Sequence, residues 1–332
     1  MRIKRTPRCP KDNMFPSARR LRRWIWAGLI FALIASGATA SALLLTTPCG
    51  ERSRPDGGRA AQSAICSLKD LLSKMPNQLE GTDIGLMNLL CAEGLRGSEN
   101  LDVGKCLARL DAWAEKVRCR TDQYLWDFRR RPQEFMNSEA KFRVLLLISV
   151  LQIEFGVHYN DRGERNCDFT NSRNAFIHGM IDDTHGGTCA SMPVLYVAVG
   201  RRLGYPMSVV LAKTHIFARW EDPKTGERFN IEGTNARFNY HPDSYYRKWP
   251  YPISDAELKE GYYLKSLTPA EELACFLQSR GNCLLDMGRF DEAKEAFTQG
   301  LRLAPKNPVG KEMIEKAEEA CVRGPWSTAK RP

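Results

Sequence analysis

The chain has 332 residues, 43% of them hydrophobic, which suits a globular protein with one large domain and a small appendage. Its net charge is +10, but residues 1–23 hold nine Lys or Arg and one acid, so the rest of the chain carries only about +2. Such a weak field excludes binding to a phosphate backbone, and no nucleic-acid partner is expected.

The basic leader, residues 1–23, precedes 22 uncharged residues, 24–45, which are enough to span a bilayer. Because positive charge stays on the cytoplasmic side, the pattern predicts a single-pass anchor with a cytoplasmic N-terminus. The rest of the chain would then be extracytoplasmic, in a periplasm or at a cell surface. Ala38-Thr39-Ala40 also fits a signal-peptide cleavage site, which is the alternative.

Residues 46–62 are rich in Gly, Arg and polar residues without an apolar period, which is typical of a linker. Apolar residues then recur at helical spacing as far as Gly156, and we predict three or four helices, the last of them capped by Ser138. Residues 157–186 are polar and broken, with one short helix over Arg173 to Met180.

A further helix is predicted after a pair of glycines. Gly186 and Gly187 break the chain, and Pro193 suits a first helical turn, so a helix should begin close to Cys189 and end at Gly204. Extended patterns follow at 207–214, 215–221 and 228–234, which predict antiparallel strands, the last two joined as a hairpin. Helices followed by a small sheet predict an α+β domain over residues 63–266.

Residues 267–322 return to helical spacing. Gly281, Ala293, Phe297 and Pro305 stand where a tetratricopeptide unit has its close helix crossing and its termination. One unit cannot stack on itself, so packing on the main domain is expected, with partner binding as the other role. Residues 323–332 form a tail.

The chain has eleven cysteines, and an exported chain can form disulfides. Cys189 is the one that we expect to stay unpaired. The pairing of the others cannot be read from the sequence, and several sit in helical apolar patterns that also suit buried thiols.

Three residues carry a chemical pattern. A thiol at the start of a helix, as predicted for Cys189, is favoured as thiolate, which is the nucleophilic form. His215, on the second predicted strand, can take its proton, and Glu232, on the paired strand, can orient the imidazole. Asn230 lies on the same strand face as Glu232 and is the substitute candidate, since an amide oxygen can accept the same proton.

The residues before Cys189 supply the remaining candidates. The amides of Gly187 and Thr188 could form an oxyanion hole, and His185 and Asn230 could border a substrate cleft. A zinc site of His178, His185 and Cys189 is the competing hypothesis, but no second Cys or His pair at ligand spacing supports it. We therefore expect neither a metal nor another cofactor.

The motifs GGTCASMPVLYVAVGRRLGYP, THIFARW and FNIEGT resemble the transglutaminase-like superfamily, whose members order a cysteine, a histidine and an acid in this way. Followed by LTPAEELACFLQSRG and a tetratricopeptide tail, they are most similar to its bacterial SirB-type branch. The resemblance implies a papain-like fold with Cys189 as nucleophile, His215 as base and Glu232 in the orienting place. The superfamily usually has Asp where this chain has Glu232.

Together these patterns predict an exported, membrane-anchored cysteine acyl-transfer enzyme that acts on a peptide or protein. Water as acceptor would give a protease or amidase, and an amine would give a transamidase. The alternative is a non-catalytic module that binds a peptide or envelope partner in a degenerate papain-like cleft, together with the tetratricopeptide unit.

Overall fold

A computed structural model describes residues 65–160, 168–181, 185–234 and 237–323. The predicted leader, the apolar segment 24–45, the linker 46–62, Cys167 and the tail beyond residue 323 lie outside these ranges. No helix within them combines the length and the apolar character that a membrane span requires.

The N-terminal half is helical, as its apolar spacing predicts. Ser138 caps the fourth helix by accepting a hydrogen bond from the Lys141 amide at 2.9 Å, as expected. The third helix is the longest of this half, with 28 residues. The α-helices of this half are α1 (Leu68–Leu72), α2 (Ile84–Ala92), α3 (Val103–Arg130) and α4 (Glu139–Ser149), and α4 continues into a π-helical turn, Val150–Glu154.

The centre of the fold is one buried helix. After a 3₁₀ turn (Ser172–Asn174) and the short α5 (His178–Ile181), helix α6 (Met192–Arg202) packs on the sheet with one face and on α2, α3 and α4 with the other. All its residues from Met192 to Gly200 are buried. The helix starts three residues after Cys189, because the residues before it form a hydrogen-bonded turn. It ends before Gly204, whose φ of +75° is the left-handed conformation expected at this position.

The sheet has three antiparallel strands in sequence order, β1 (Met207–Ala212), β2 (His215–Glu221) and β3 (Arg228–Ile231). This confirms the predicted strands, the hairpin and the α+β class. Residue pairs Arg219 and Asn230, and Ala218 and Ile231, stand directly opposite each other on β2 and β3. The outer edge of β1 is covered by a later segment, whose Leu264 and Leu267 amides donate to carbonyls of that strand.

The C-terminal unit follows two short helices, α7 (Asp243–Tyr246) and α8 (Asp255–Glu260), and consists of α9 (Pro269–Asp286), α10 (Phe290–Leu303) and α11 (Gly310–Arg323). A Cβ on Gly281 would lie 2.3 Å from the Phe297 ring, so only glycine permits this helix crossing.

Charged side chains join this unit to the rest of the protein. The buried Glu272 of α9 binds both terminal nitrogens of Arg201 on α6, at 2.6 and 2.9 Å. Arg280 donates to the carbonyls of Cys91 and Glu93 at the end of α2. The tetratricopeptide unit is therefore packed on the helices that carry the rest of the core, in agreement with the expected packing role.

Candidate active site

Cys189 lies in a tight turn immediately before α6. The Met192 and Ser191 amides both donate to the carbonyl of Thr188, at 2.9 and 3.2 Å, and the Thr188 amide donates to the Ser191 hydroxyl at 3.0 Å. The turn is tied to an earlier segment through the Asn174 carbonyl, which accepts from the Thr188 hydroxyl at 2.6 Å. The Cys189 thiol is free and half-buried.

The glycines before the thiol serve packing. The Gly187 amide donates to the His158 carbonyl at 2.9 Å, and its own carbonyl accepts from the Asn160 amide at 2.8 Å. A Cβ on Gly187 would lie 2.4 Å from the sulfur of Met180. The amides of Gly187 and Thr188 both donate to oxygens inside the protein, so neither is available to a substrate oxygen in this arrangement. That these residues border a substrate cleft stays a prediction.

The amide of Cys189 itself is placed differently. Within the part of the chain that the structure describes, it donates to no protein acceptor. Because the amide next to a nucleophilic sulfur can point at the oxygen of a bound carbonyl, it is the oxyanion donor that this turn leaves available. The glycine-rich turn was the sequence signal for this donor, but the prediction assigned the donor to amides one or two residues earlier in the chain.

His215 begins β2 and is 5% exposed. Its Nε2 lies 3.0 Å from Oε2 of Glu232, which is 2% exposed and directly follows β3. By the strand register, Glu232 lies two residues from the position opposite His215, and therefore on the same face of the sheet. The carboxylate therefore reaches the ring from a neighbouring strand.

Both groups of this pair have displaced pKa values. Burial opposes the charged imidazole, but the charge of Glu232 and hydrogen bonds to Cys189 and Glu232 outweigh it and raise the pKa of His215 to about 10. Burial also opposes the Glu232 carboxylate, yet the His215 charge and the donors of Thr234 lower its pKa to about 2. At neutral pH the pair is therefore an imidazolium and a carboxylate.

The Cys189 thiol interacts with the imidazole and contributes to the raised pKa of His215. Because Nε2 faces Glu232, Nδ1 is the ring nitrogen left for the sulfur. The thiolate is the form of a cysteine that attacks carbonyl carbon. The three side chains thus form a chain of sulfur, imidazole and carboxylate.

Residues 104–263 match the family model of the transglutaminase-like superfamily. This region belongs to that superfamily. Residues 274–307 match the model of the tetratricopeptide repeat, which confirms the suspected combination of the two. No curated protein and no solved structure shows significant similarity to the chain.

Asn230 of the transglutaminase-like domain does not stand where an orienting group would. It lies directly opposite Arg219, whose Nε donates to its Oδ1 at 2.8 Å, and its amide nitrogen donates to Asp243 at the same distance. Arg219 is four residues along β2 from His215, or about 13 Å of extended chain. The strand register therefore assigns Asn230 to a structural network and contradicts its proposed substitute role.

The histidines of the zinc hypothesis point to protein oxygens. A ring nitrogen of His178 lies 3.1 Å from the Ser172 hydroxyl, and one of His185 lies 2.8 Å from Oδ1 of Asn174. In the described residues, no three or more His, Cys, Asp or Glu side chains are grouped so that they could hold a metal ion. His185 contacts Asn174, which also supports the turn that carries Cys189. The place of His185 at the border of a cleft stays a prediction.

Aromatic residues complete the surroundings of His215. Trp249 contacts the imidazole edge to face, with ring centroids 4.7 Å apart, and Tyr246 lies parallel to it at 6.0 Å. Tyr246 also donates its hydroxyl to Oε2 of Glu232 at 2.8 Å. Tyr246 had no motif that could have marked it, because its partner is 14 residues away in a different element.

Proposed function

We propose that the transglutaminase-like domain is a cysteine acyl-transfer enzyme in which Cys189 is the nucleophile, His215 the acid–base and Glu232 the group that orients His215. The observation that carries this proposal is the buried His215–Glu232 pair in contact with a free thiol. A buried ion pair adds little net stability, because the cost of removing both charges from water offsets their attraction. Its place beside a thiol is therefore better explained by chemistry than by stability.

In this mechanism the Cys189 sulfur attacks the carbonyl carbon of a peptide or protein amide, and the carbonyl oxygen becomes an oxyanion facing the Cys189 amide. His215, protonated at Nδ1, gives that proton to the leaving amine as the carbon–nitrogen bond breaks. The product is a thioester on Cys189. Glu232 keeps Nε2 of the ring protonated and does not itself take up the proton.

The acceptor completes the cycle. Neutral His215 removes a proton from water or from an incoming amine, which attacks the thioester and releases Cys189. Water gives hydrolysis and an amine gives transamidation. Hydrolysis is our proposal, since water is present at any site that a substrate can enter.

The proposed location is outside the cytoplasm, with residues 24–45 as membrane anchor. It rests on the positive leader and on the 22 uncharged residues that follow it. A tetratricopeptide repeat also suggests protein–protein interaction. Because α9 packs on α2, a partner would contact the surfaces of this unit that α2 leaves uncovered.

The test is the rate at which iodoacetamide alkylates Cys189 between pH 4 and 10, measured by mass spectrometry of the peptide that carries it, in the full-length protein and in His215→Ala. We expect rapid labelling at neutral pH in the wild type, and slower labelling with an upward-shifted pH dependence without His215.

Cys321 is an internal reference in the same experiment. It is exposed, and its hydrogen bond to Asp291 raises its pKa, so it should label only at alkaline pH in both proteins. If Cys189 behaves like Cys321 and does not respond to the loss of His215, the domain lacks an activated nucleophile and a non-catalytic binding module becomes the better account.

A further inference from the structure

The Glu232 carboxylate accepts hydrogen bonds at both of its oxygens. Its Oε1 accepts from the amide and the hydroxyl of Thr234, at 3.0 and 2.8 Å. Its Oε2 accepts from His215 and from the hydroxyl of Tyr246, at 3.0 and 2.8 Å. The oxygen that binds the imidazole therefore has one further donor, and that donor comes from a separate element.

Tyr246 is fixed independently of the carboxylate. It is fully buried, and its ring stacks on Phe217 with centroids 3.8 Å apart and planes 9° apart. Aromatic stacking of this kind restricts the ring to one plane. Phe217 lies on β2 two residues after His215, so the same strand positions both the imidazole and the support of the tyrosine.

The helix that carries Tyr246 is anchored as well. Asp243, in the first position of α7, binds Nη2 of the buried Arg219 at 2.7 Å and Nη2 of Arg228 at 2.8 Å. It also accepts from Asn230 at 2.8 Å. Three side chains from β2 and β3 therefore fix the start of a four-residue helix whose last residue is Tyr246.

We propose that Tyr246 is a positioning residue of the thiol site, which holds Oε2 of Glu232 in place and through it fixes the His215 ring opposite Cys189. The inference rests on the proposed function. The Tyr246 hydroxyl donates to a carboxylate that must stay ionised, and a hydrogen bond to the ionised form favours that form. Without this donor Oε2 is held by His215 alone, so the carboxylate oxygen and the imidazole can shift together and the ring is fixed less firmly.

The first experiment compares Tyr246→Phe with Tyr262→Phe in the full-length protein, by the pH dependence of Cys189 alkylation. Tyr262 is also buried and lies by α9, away from Glu232, so it controls for the loss of a buried hydroxyl. We expect alkylation about tenfold slower near neutral pH for Tyr246→Phe, with its acid limb shifted upward, and a wild-type profile for Tyr262→Phe. An unchanged profile for Tyr246→Phe would overturn the inference.

A double-mutant cycle separates positioning from a general packing defect. If Tyr246 acts through Glu232, then Tyr246→Phe should have no further effect on alkylation in the Glu232→Gln protein. Equal effects of Tyr246→Phe in the presence and absence of the Glu232 carboxylate would mean a merely structural role and would refute the inference.

The same measurements separate the two proposals. An activated wild-type thiol that does not respond to Tyr246→Phe leaves the proposed function intact and removes only the role of Tyr246. A wild-type thiol that behaves like Cys321 removes both.

Discussion

The two sides of the thiol site are built in different ways. On the side of Cys189, neutral hydrogen bonds among Asn174, Thr188 and Ser191 hold the turn, and both bonds between Thr188 and Ser191 join residues only three positions apart. On the imidazole side, buried charges hold the ring, and His215 and Arg219 each depend on partners from other elements. The backbone fixes where the sulfur lies, whereas charged side chains fix where the imidazole lies.

The two kinds of contact differ in how much stability is lost when one of them is removed. A neutral hydrogen bond contributes about 1 kcal/mol, so losing one should deform the nucleophile turn only locally. Removing one member of a buried ion pair leaves the other in a poorly solvated place, which costs several times more. Stability should therefore depend mainly on the imidazole side.

The largest effect is expected for Glu232→Gln, which keeps the size of the side chain and removes its charge. We expect the free energy of unfolding to fall by about 3 kcal/mol near pH 5.5, because His215 loses its buried counter-charge. Chemical denaturation measures this. The matched control is Glu221→Gln, since Glu221 is paired with Arg228 at the surface and should change stability by less than about 1 kcal/mol.

The pH dependence of that difference follows from the two displaced pKa values. The raised pKa of His215 gives stability that is complete below 6.5 and is lost as the pH rises toward about 10. The lowered pKa of Glu232 gives stability that is complete above 4.5 and is lost as the pH falls toward about 2. The difference between wild type and Glu232→Gln should be largest between pH 4.5 and 6.5, and a flat difference would contradict the pair.

An intermediate effect is expected for Arg219→Met. Arg219 is 1% exposed and donates to Asn230, Asp243 and the Leu264 carbonyl, so its loss leaves acceptors unpaired and should destabilise the protein by about 2 kcal/mol. Arg228 binds the same Asp243 but its side chain is 42% exposed, so Arg228→Met should cost about 0.5 kcal/mol. Equal losses of stability in the two variants would show that burial does not set the contribution of this network.

The smallest effect is expected on the nucleophile side, for Thr188→Val. The substitution removes the hydroxyl that donates to the Asn174 carbonyl and accepts from the Ala190 amide, and should cost about 1 kcal/mol. Thr298→Val is the control, because that hydroxyl bonds the Lys294 carbonyl on an exposed helix face and should matter little. A loss from Thr188→Val as large as that from Glu232→Gln would mean that the two sides do not differ.

Much of the fold followed from the sequence because local rules governed it. Ser138 caps a helix, Gly204 ends one in the left-handed conformation, and Gly281 permits a crossing that a side chain would block. Alternating apolar residues gave the strands in their observed order. The cap, the helix end and the strands depend on backbone conformation and on spacing within one element, and the Gly281 crossing joins two helices that are neighbours in the chain.

The arrangement of the thiol site was predictable only in part. The order of Cys189, His215 and Glu232 on a helix start and two successive strands indicated which side chains meet. The partner of Asn230 was not predictable, because two residues on the same strand face are equivalent until the register with β2 is known. The register places Asn230 opposite Arg219 and leaves Glu232 for His215.

Local sequence patterns were enough to identify the helices and strands, the residues that they carry and the resemblance of the domain to its superfamily. Three contacts became known only after packing: the amides of Gly187 and Thr188 donate inside the protein, Asn230 belongs to the Arg219 network, and Tyr246 reaches Glu232. The reason is that a hydrogen bond between segments depends on distance and direction after packing, which periodicity along one segment does not specify.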